Sequence, residues 1–319
     1  MGGFPKSKLN SRLSAVTDVF MFHGTPRTEA TMLERQLLFL SGLFEVVPLE
    51  RIGEPGGRRR RVALTFDDGL RSNVTVAYPI LRKLRIPATF YVCPELIERR
   101  RWLWNHEMRA RLATLEKGAF MALANYVGAP QEREAFIAWM KRLDLASRRP
   151  VEQAVRRATR WFVGSLEQHE AYDLASWDEL ARLDPAIVTI GSHTLSHSIL
   201  TSLTEPEMER EIRESRSFIE QRLQRPAEHF CYPNGDFTPA ALKLVRQTYR
   251  TAVTTEPGQM PAACDLHLIP RWPCQPTLLK TARLLYSPGT QGALGRWRQR
   301  TVGTVGAGMR MLSWMVSRA

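Results

Sequence analysis

The chain has 319 residues but only four cysteines, and these lie far apart. Cys93, Cys231, Cys264 and Cys274 form no Cys-x-x-Cys pair, which argues against both a disulfide framework and a structural zinc module. Cys264 and Cys274 flank His267 only loosely, so we interpret all three as core or loop residues rather than ligands. Sparse cysteine usage is typical of a reducing compartment.

Long apolar runs are also missing. No segment has 18 consecutive apolar residues, so the sequence predicts no helix that spans a bilayer. The apolar run at 19–22 is too short for the core of a signal peptide. We therefore expect a cytoplasmic protein, or one bound peripherally to the inner face of the membrane.

Acidic side chains are fewer than basic ones: the chain has 32 Asp and Glu and 45 Lys and Arg, for a net charge of +13. Such an excess favours an anionic neighbour, which could be a membrane surface, a lipid phosphate or a nucleic acid. The chain has no zinc finger, no aromatic RNA-binding pattern and no regular basic recognition helix, so we expect no nucleic acid partner.

The C-terminal tail, residues 291–319, contains five arginines and no acidic residue, with Trp and Met side chains between them. This pattern suits an interfacial helix on an anionic membrane. A helix that packs on the rest of the protein with a basic outer face explains the pattern equally well.

Short apolar runs alternate with segments of helical spacing along most of the chain. Strands are predicted at 18–22, 44–47, 61–66, 88–92, 187–190, 229–232, 251–254 and 268–271. Helices are predicted at 29–43, 76–84, 178–183, 205–224 and 239–247. Repeated strand–helix units of this kind predict a parallel α/β fold of the barrel type.

The strand–helix alternation stops between residues 95 and 168, where Arg, Glu, Ala, Leu and Trp recur with helical periodicity. We predict a mostly helical segment there and call it the helical insertion. The predicted organisation is an N-terminal extension at 1–17, a barrel domain at 18–290 that contains this insertion, and the tail at 291–319.

Polar residues that could take part in catalysis or metal binding follow the predicted strands. They are His23, Asp67, Asp68, His193, His197, Tyr232 and Arg271. Because the carboxyl ends of parallel strands meet on one face of a barrel, we expect these side chains to lie together there.

Two short motifs at these ends suggest a metal site: Thr-Phe-Asp-Asp-Gly at 65–69 and His-Thr-Leu-Ser-His at 193–197. Asp68, His193 and His197 together would suit zinc or another late divalent metal and leave a position open for water. Asp67 points the other way from its strand neighbour and could act as a base. Alone, each motif would be ordinary, because Asp-Asp-Gly is common in turns and His-x-x-x-His on helix surfaces.

With the Phe-x-Tyr-Pro-x-Gly segment at 230–235, these motifs resemble the signature of the polysaccharide deacetylase family, the NodB-homology domain of carbohydrate esterase type. The resemblance covers roughly residues 18–275, interrupted by the helical insertion. It implies a distorted (β/α) barrel and a metal-dependent hydrolase, often zinc-bearing, that removes N-acetyl groups from amino sugars.

The resemblance also implies roles for individual residues. Asp67 would be the general base, and Asp68, His193 and His197 the metal ligands. The Tyr232 backbone N–H, next to Pro233, would face the developing oxyanion, where a donor must supplement the cation.

Two elements of the common family pattern are missing. No Arg lies near residues 230–233, and the late Leu-x-His motif does not fit the spacing of Asp265 to His267. The chain is instead similar to permuted-motif members, whose early apolar strand ends in His. This makes His23 the general acid, with His267 as the alternative, and gives Arg271 the task of orienting Asp67. A surface position is the other interpretation of Arg271.

The helical insertion contains Trp102 and Trp104, which either line a sugar site or fill a core. We expect His106 and His169 to be surface residues rather than ligands.

The predicted function is removal of N-acetyl groups from an amino-sugar glycan, or its lipid-linked precursor, in surface polysaccharide biosynthesis. Two alternatives stay open: a deformylase or O-deacetylase acting on a lipid-linked sugar, and a non-catalytic glycan-binding protein on the same fold. The sequence contains every candidate metal ligand and the candidate base, which favours an enzyme.

Overall fold

The computed structural model describes residues 17–52, 54, 60–260 and 264–274. Its strands are β1 (Thr17–Phe22), β2 (Glu45–Val46), β3 (Arg61–Phe66), β4 (Ala88–Val92), β5 (Val188–Ser192), β6 (His229–Cys231), β7 (Thr251–Val253) and β8 (Trp272–Pro273). The predicted extension at 1–17, apart from residue 17, and the predicted tail at 291–319 lie outside this range.

Eleven α-helices occur in the same described ranges. They are α1 (Ala30–Leu43), α2 (Tyr78–Leu84), α3 (Pro94–Glu98), α4 (Trp104–Ala113), α5 (Lys117–Val127), α6 (Arg133–Met140), α7 (Leu145–Ala158), α8 (Leu166–Tyr172), α9 (Trp177–Ala181), α10 (Glu205–Leu223) and α11 (Pro239–Thr248). None of these helices is long and apolar enough to cross a bilayer.

The strands form one parallel sheet in the order β7-β6-β5-β4-β3-β1-β8, with β2 beside the start of β3. The segment that contains β8 contacts both ends of this sheet. Ile269 pairs with Val253 of β7, and Trp272 pairs with Phe20 of β1. The sheet therefore curls into the distorted (β/α) barrel predicted from the sequence, although the last strand lies at 272–273 rather than 268–271.

The central strands are buried on both faces, which explains their continuous apolar composition. Every residue of β3 and β4 is buried. Phe66 stacks on Phe22 with ring centroids 4.7 Å apart. Helix α1 covers this core with Leu33, Leu37 and Leu40, which share one helix face at spacings of three and four residues.

Within the helical insertion, helices α4 to α7 pack around an interior of their own. Its interior contains Phe120, Phe136, Met140 and Val155, all nearly inaccessible to solvent. Trp104 belongs to the same cluster at 7% exposure, so the core interpretation of this tryptophan is confirmed. The insertion therefore has a core of its own, which Ile199 of the barrel joins.

Candidate active site

The ends of the parallel strands bring the predicted residues to one edge of the barrel. Asp67 and Asp68 follow β3, His193 follows β5, and His23 follows β1. Because Phe22 pairs with Phe66 in register, His23 comes directly beside Asp67 along the sheet.

The backbone at this edge adopts uncommon conformations. Asp68, Thr194 and His197 have φ angles of 73°, 63° and 58°, in the left-handed region that non-glycine residues rarely occupy. Gly69 follows with φ of 65°, and a Cβ there would lie 3.1 Å from the Val92 side chain. Strain of this kind concentrates at functional sites, where the surroundings hold it in place.

Asp68, His193 and His197 form a compact and buried set of ligand atoms, all within 4.8 Å of one another. The Asp68 Oδ1 atom lies 3.5 Å from His193 Nε2 and 3.4 Å from His197 Nε2. His193 Nδ1 lies 2.8 Å from the Cys231 carbonyl, an outer contact that fixes the ring and leaves Nε2 free for an ion. One carboxylate and two imidazoles fit zinc or a similar divalent metal.

A second group of ligand-type atoms joins Asp67, His193 and Cys231. It is the weaker candidate, because both Asp67 oxygens accept hydrogen bonds from Arg271 and His193 Nδ1 is bonded to the Cys231 carbonyl. The structure thus separates Asp68 from Asp67: the first faces the imidazoles and the second faces a guanidinium.

Asp67 and Arg271 form a bidentate ion pair in the interior. Arg271 Nη1 donates to Asp67 Oδ1 at 2.7 Å, and Nη2 donates to Oδ2 at 2.8 Å. Burial alone would raise the pKa of Asp67, but the Arg271 charge outweighs it and holds the pKa below its usual range. The carboxylate is therefore ionised at neutral pH.

The remaining donors of Arg271 are also bonded. Nε donates to the Thr254 carbonyl at 2.7 Å, and Nη1 donates to Thr65 Oγ1 at 3.0 Å. The side chain is fully buried. The surface interpretation of Arg271 is therefore wrong, and its contact with Asp67 is the one expected of an orienting residue.

The two candidates for the general acid lie at opposite edges of the barrel. His267 Nε2 lies 3.0 Å from the carbonyl of Tyr249, which precedes β7 and so belongs to the amino-terminal edge. His23 follows β1 at the carboxyl edge and is exposed to solvent. This placement favours His23 over His267.

A family model described as polysaccharide deacetylase matches residues 55–118 and 151–253, which is more than half of the chain. The chain belongs to the polysaccharide deacetylase family. The unmatched stretch, 119–150, lies within the helical insertion. The family assignment confirms the predicted resemblance and, with it, a carbohydrate deacetylase fold.

Individual relatives are distant. The Bacillus subtilis (strain 168) protein "Putative polysaccharide deacetylase YxkH" is 26% identical over 103 residues, which are 32% of this chain and 36% of that one. The match thus spans about a third of the length of this curated relative.

Solved structures resemble the fold over most of its length. Streptococcus pyogenes deacetylase PplD, in complex with acetate, gives a TM-score of 0.56 at 17% identity and covers 82% of this chain and 94% of its own. IcaB from Ammonifex degensii gives 0.55 at 16% identity, covering 82% and 93%. The BpsB deacetylase domain from Bordetella bronchiseptica gives 0.51 at 13% identity, covering 81% and 96%. At these identities the likeness shows the fold of the deacetylase family.

The oxyanion donor expected at Tyr232 is already engaged in this structure. The Tyr232 N–H donates to the Val253 carbonyl at 3.2 Å, as part of the contact between β6 and β7. The side chain is fully buried, and its hydroxyl donates to the His267 carbonyl at 3.2 Å. Pro233 is buried at the start of the following turn. The sequence placed Tyr232 at the correct strand end but could not show that the sheet already engages its amide.

The expectation for His106 is also wrong, because this histidine lies at the site. Its Nε2 atom is 4.0 Å from Asp68 Oδ2, and its side chain is only 15% exposed. Burial lowers its pKa to about 4, so the imidazole is neutral. One feature of the sequence could have indicated this position. The Trp-Asn-His sequence at 104–106 begins soon after β4, whose end lies at the edge of the barrel that contains the site.

His169 matches its expectation as a surface residue. Its side chain is 48% exposed, and Nδ1 lies 2.9 Å from Asp173 Oδ1. Trp102 donates through Nε1 to the same carboxylate oxygen at 2.7 Å. These contacts hold the end of α8 against the start of the insertion rather than contributing to the ligand set.

Proposed function

We propose that this member of the polysaccharide deacetylase family is a metal-dependent enzyme that removes N-acetyl groups from an amino-sugar glycan or its lipid-linked precursor, in surface polysaccharide biosynthesis. The observation that supports it most is the buried set of Asp68, His193 and His197 beside an Asp67 held by Arg271. A binding protein on this fold would have no use for a buried and ionised carboxylate next to a ligand set.

Asp68, His193 and His197 would hold a divalent ion such as zinc, which would supply Lewis acidity toward water and toward the amide carbonyl. Asp67 takes the proton of the attacking water, since it is ionised and carries no proton of its own. Arg271 fixes the direction of its oxygens by a two-point contact. His23 gives a proton to the departing amine nitrogen, a step that general acids promote in amide cleavage.

We also propose a single catalytic domain over residues 18–290 and a cytoplasmic location, with the tail at 291–319 against the anionic inner face of the membrane. The net charge of +13 and the arginines of the tail support this proposal. A position on the membrane would bring the enzyme close to lipid-linked glycans.

The test measures metal content and acetate release on the purified chain, with N-acetylglucosamine oligomers and lipid-linked amino sugars as substrates. We expect about one equivalent of zinc. Asp68→Ala, His193→Ala and His197→Ala should each lose the metal and the activity together. His169→Ala is the matched control, because it changes an exposed histidine outside the ligand set. This variant should keep both the metal and the activity.

Each alternative function has its own outcome. Formate release, or acetate release from O-acetylated sugars alone, would replace the N-deacetylase assignment by the deformylase or O-deacetylase. Glycan binding with no hydrolysis by the zinc-loaded wild type would identify a binding protein. Stoichiometric metal in any one ligand variant would remove that residue from the proposed ligand set.

A further inference from the structure

The two oxygens of the Asp68 carboxylate face different histidines. Oδ1 lies near His193 and His197, which come from the barrel. Oδ2 lies 4.0 Å from Nε2 of His106, which comes from the helical insertion. The insertion therefore contacts the ligand set through an imidazole.

His106 is held in place by its own surroundings. It lies in the first turn of α4, between the buried residues Asn105 and Met108. Its ring stacks on Tyr172 of α8, with centroids 4.8 Å apart and planes 28° apart. Its Nδ1 atom is buried and has no hydrogen-bond partner within the described part of the chain. A stacked ring with one buried nitrogen and the other near a carboxylate has little freedom to turn elsewhere.

His106 does not belong to the compact ligand set. The ligand atoms of Asp68, His193 and His197 all lie within 4.8 Å of one another, and His106 is not part of that group. Its Nε2 atom lies near Oδ2 of Asp68, whereas the other two imidazoles are paired with Oδ1. Carboxylates that bind metals are commonly held by a hydrogen bond to the oxygen that the ion leaves unused.

We infer that His106 is a positioning residue for the metal-binding carboxylate: its Nε2–H donates to Asp68 Oδ2 and fixes the direction in which Oδ1 faces the ion. This inference rests on the proposed function. The contact must shorten by about 1 Å to reach hydrogen-bond distance. Because the His106 ring is held in place, rotation of the Asp68 side chain supplies this shift. A neutral imidazole suffices, because it has one N–H to donate.

The inference gives the helical insertion a task in the chemistry of the barrel. The insertion has its own core, so its docking determines whether Asp68 is oriented. Changes that loosen this docking should weaken metal binding even though no ligand is altered. Tyr172 acts in the same way, one step further out, by fixing the plane of the His106 ring.

The experiment measures the affinity for Zn²⁺ by competition with a chromophoric chelator. We expect His106→Ala to bind Zn²⁺ about 10- to 100-fold more weakly than the wild type, the usual effect of removing an outer partner of a ligand. His106→Gln should restore most of the affinity, because its amide nitrogen can take the place of Nε2. His106→Asn, whose side chain is shorter, should not. Tyr126→Ala, which changes an 81% exposed side chain of the insertion, is the control and should match the wild type.

The visible absorption spectrum of the Co²⁺-loaded protein separates positioning from ligation. Wild type and His106→Ala should give bands of similar energy and intensity, since both keep the same three ligands. A spectrum altered as strongly as that of His193→Ala, with no rescue in His106→Gln, would make His106 a ligand and overturn the inference. Circular dichroism of the metal-free variants checks folding, and the contrast between Gln and Asn decides the matter if the Ala variant does not fold.

The failure of the inference and the failure of the proposed function give different results. Equal Zn²⁺ affinity in wild type and His106→Ala overturns the inference alone. A wild type that binds Zn²⁺ but deacetylates nothing overturns the proposed function, while the affinity ranking still decides the role of His106. A wild type with no Zn²⁺ affinity overturns both.

Discussion

The barrel and the helical insertion each contain a bidentate arginine–carboxylate pair, and the hydrogen bonds of the two pairs have similar lengths. In the barrel, Arg271 donates to Asp67 at 2.7 and 2.8 Å. In the insertion, Arg109 donates to Glu134 at 2.8 and 2.9 Å. Their surroundings differ: the side chains of the first pair are 0% and 2% exposed, and those of the second are 36% and 47% exposed.

Burial decides what each pair can do. Water can solvate Arg109 or Glu134 if the partner is lost, so that pair contributes little to stability. Neither Arg271 nor Asp67 has that option, and removal of one leaves an uncompensated charge in the interior. The barrel thus holds an ionised carboxylate in a fixed direction. For the same reason, the replacement of either partner alone should destabilise the fold. The comparison supports the proposed chemical role of the barrel pair and gives the insertion pair no such role.

Replacement of the buried carboxylate should have the largest effect on this comparison. Asp67→Asn keeps the shape of the side chain but removes the charge that accepts a proton. We expect turnover to fall by about 10²- to 10⁴-fold, the usual contribution of a general base. Zinc content should be unchanged, because Asp68 and not Asp67 faces the imidazoles.

Steady-state kinetics on zinc-loaded Asp67→Asn, below its unfolding temperature, provide the measurement. Glu134→Gln is the control from the insertion and should turn over like the wild type. Near-normal turnover in the Asn variant would contradict the role of Asp67 as base.

His23 tests whether the exposed residue at the barrel edge takes part in the reaction. His23→Ala should bind metal normally and lower turnover on amides by about 10²-fold, at the low end for a general acid. Ester substrates should suffer less, because an alkoxide leaves more easily than an amide nitrogen. His267→Ala, at the opposite edge, should have little effect on either substrate. If His267→Ala lost its activity and His23→Ala kept it, His267 rather than His23 would be the general acid.

Arg271 tests the electrostatic side of the comparison. Arg271→Met removes the cation that lowers the pKa of Asp67, so the pKa of this carboxyl rises and Asp67 becomes protonated at higher pH. The acid limb of turnover against pH should move to higher pH, by about one to three units. An acid limb that does not move would show that Asp67 does not govern it.

The same variant changes stability in a predictable direction. The lowered pKa of Asp67 adds stability that is present above the unfolded-state pKa of about 4 and is lost as the pH falls through the folded-state pKa. Arg271→Met should lower the free energy of unfolding at pH 7 by about 3–5 kcal/mol, because it leaves Asp67 buried and unpaired. Urea unfolding between pH 3 and pH 7 measures both effects.

The sequence was sufficient for the barrel because each candidate motif there is local. Asp67, Asp68 and His193 directly follow strands whose apolar patterns are easy to recognise, and parallel strands bring their ends together. His106 could not be predicted in this way, because its approach to Asp68 depends on how a separate helical unit docks. The Tyr232 amide failed as an oxyanion donor for a related reason: sequence shows that an N–H exists but not which carbonyl accepts it.

The smallest effect is expected at the pair in the insertion, and a double-mutant cycle measures it. Arg109→Ala, Glu134→Ala and the double variant should give a coupling energy of about 1 kcal/mol or less, since half-exposed pairs gain little over their interactions with water. The coupling should shrink further between 0.1 M and 1 M salt, as the screening length falls from about 10 Å to 3 Å.

The matching cycle on Arg271 and Asp67, with Met and Asn, should give a larger coupling that salt hardly changes, because no ions reach that pair. Both cycles use thermal or urea unfolding of the metal-free chain, so that differences in zinc affinity do not enter. Equal couplings in the two regions would contradict the view that burial, rather than the bidentate geometry the pairs share, sets their different roles.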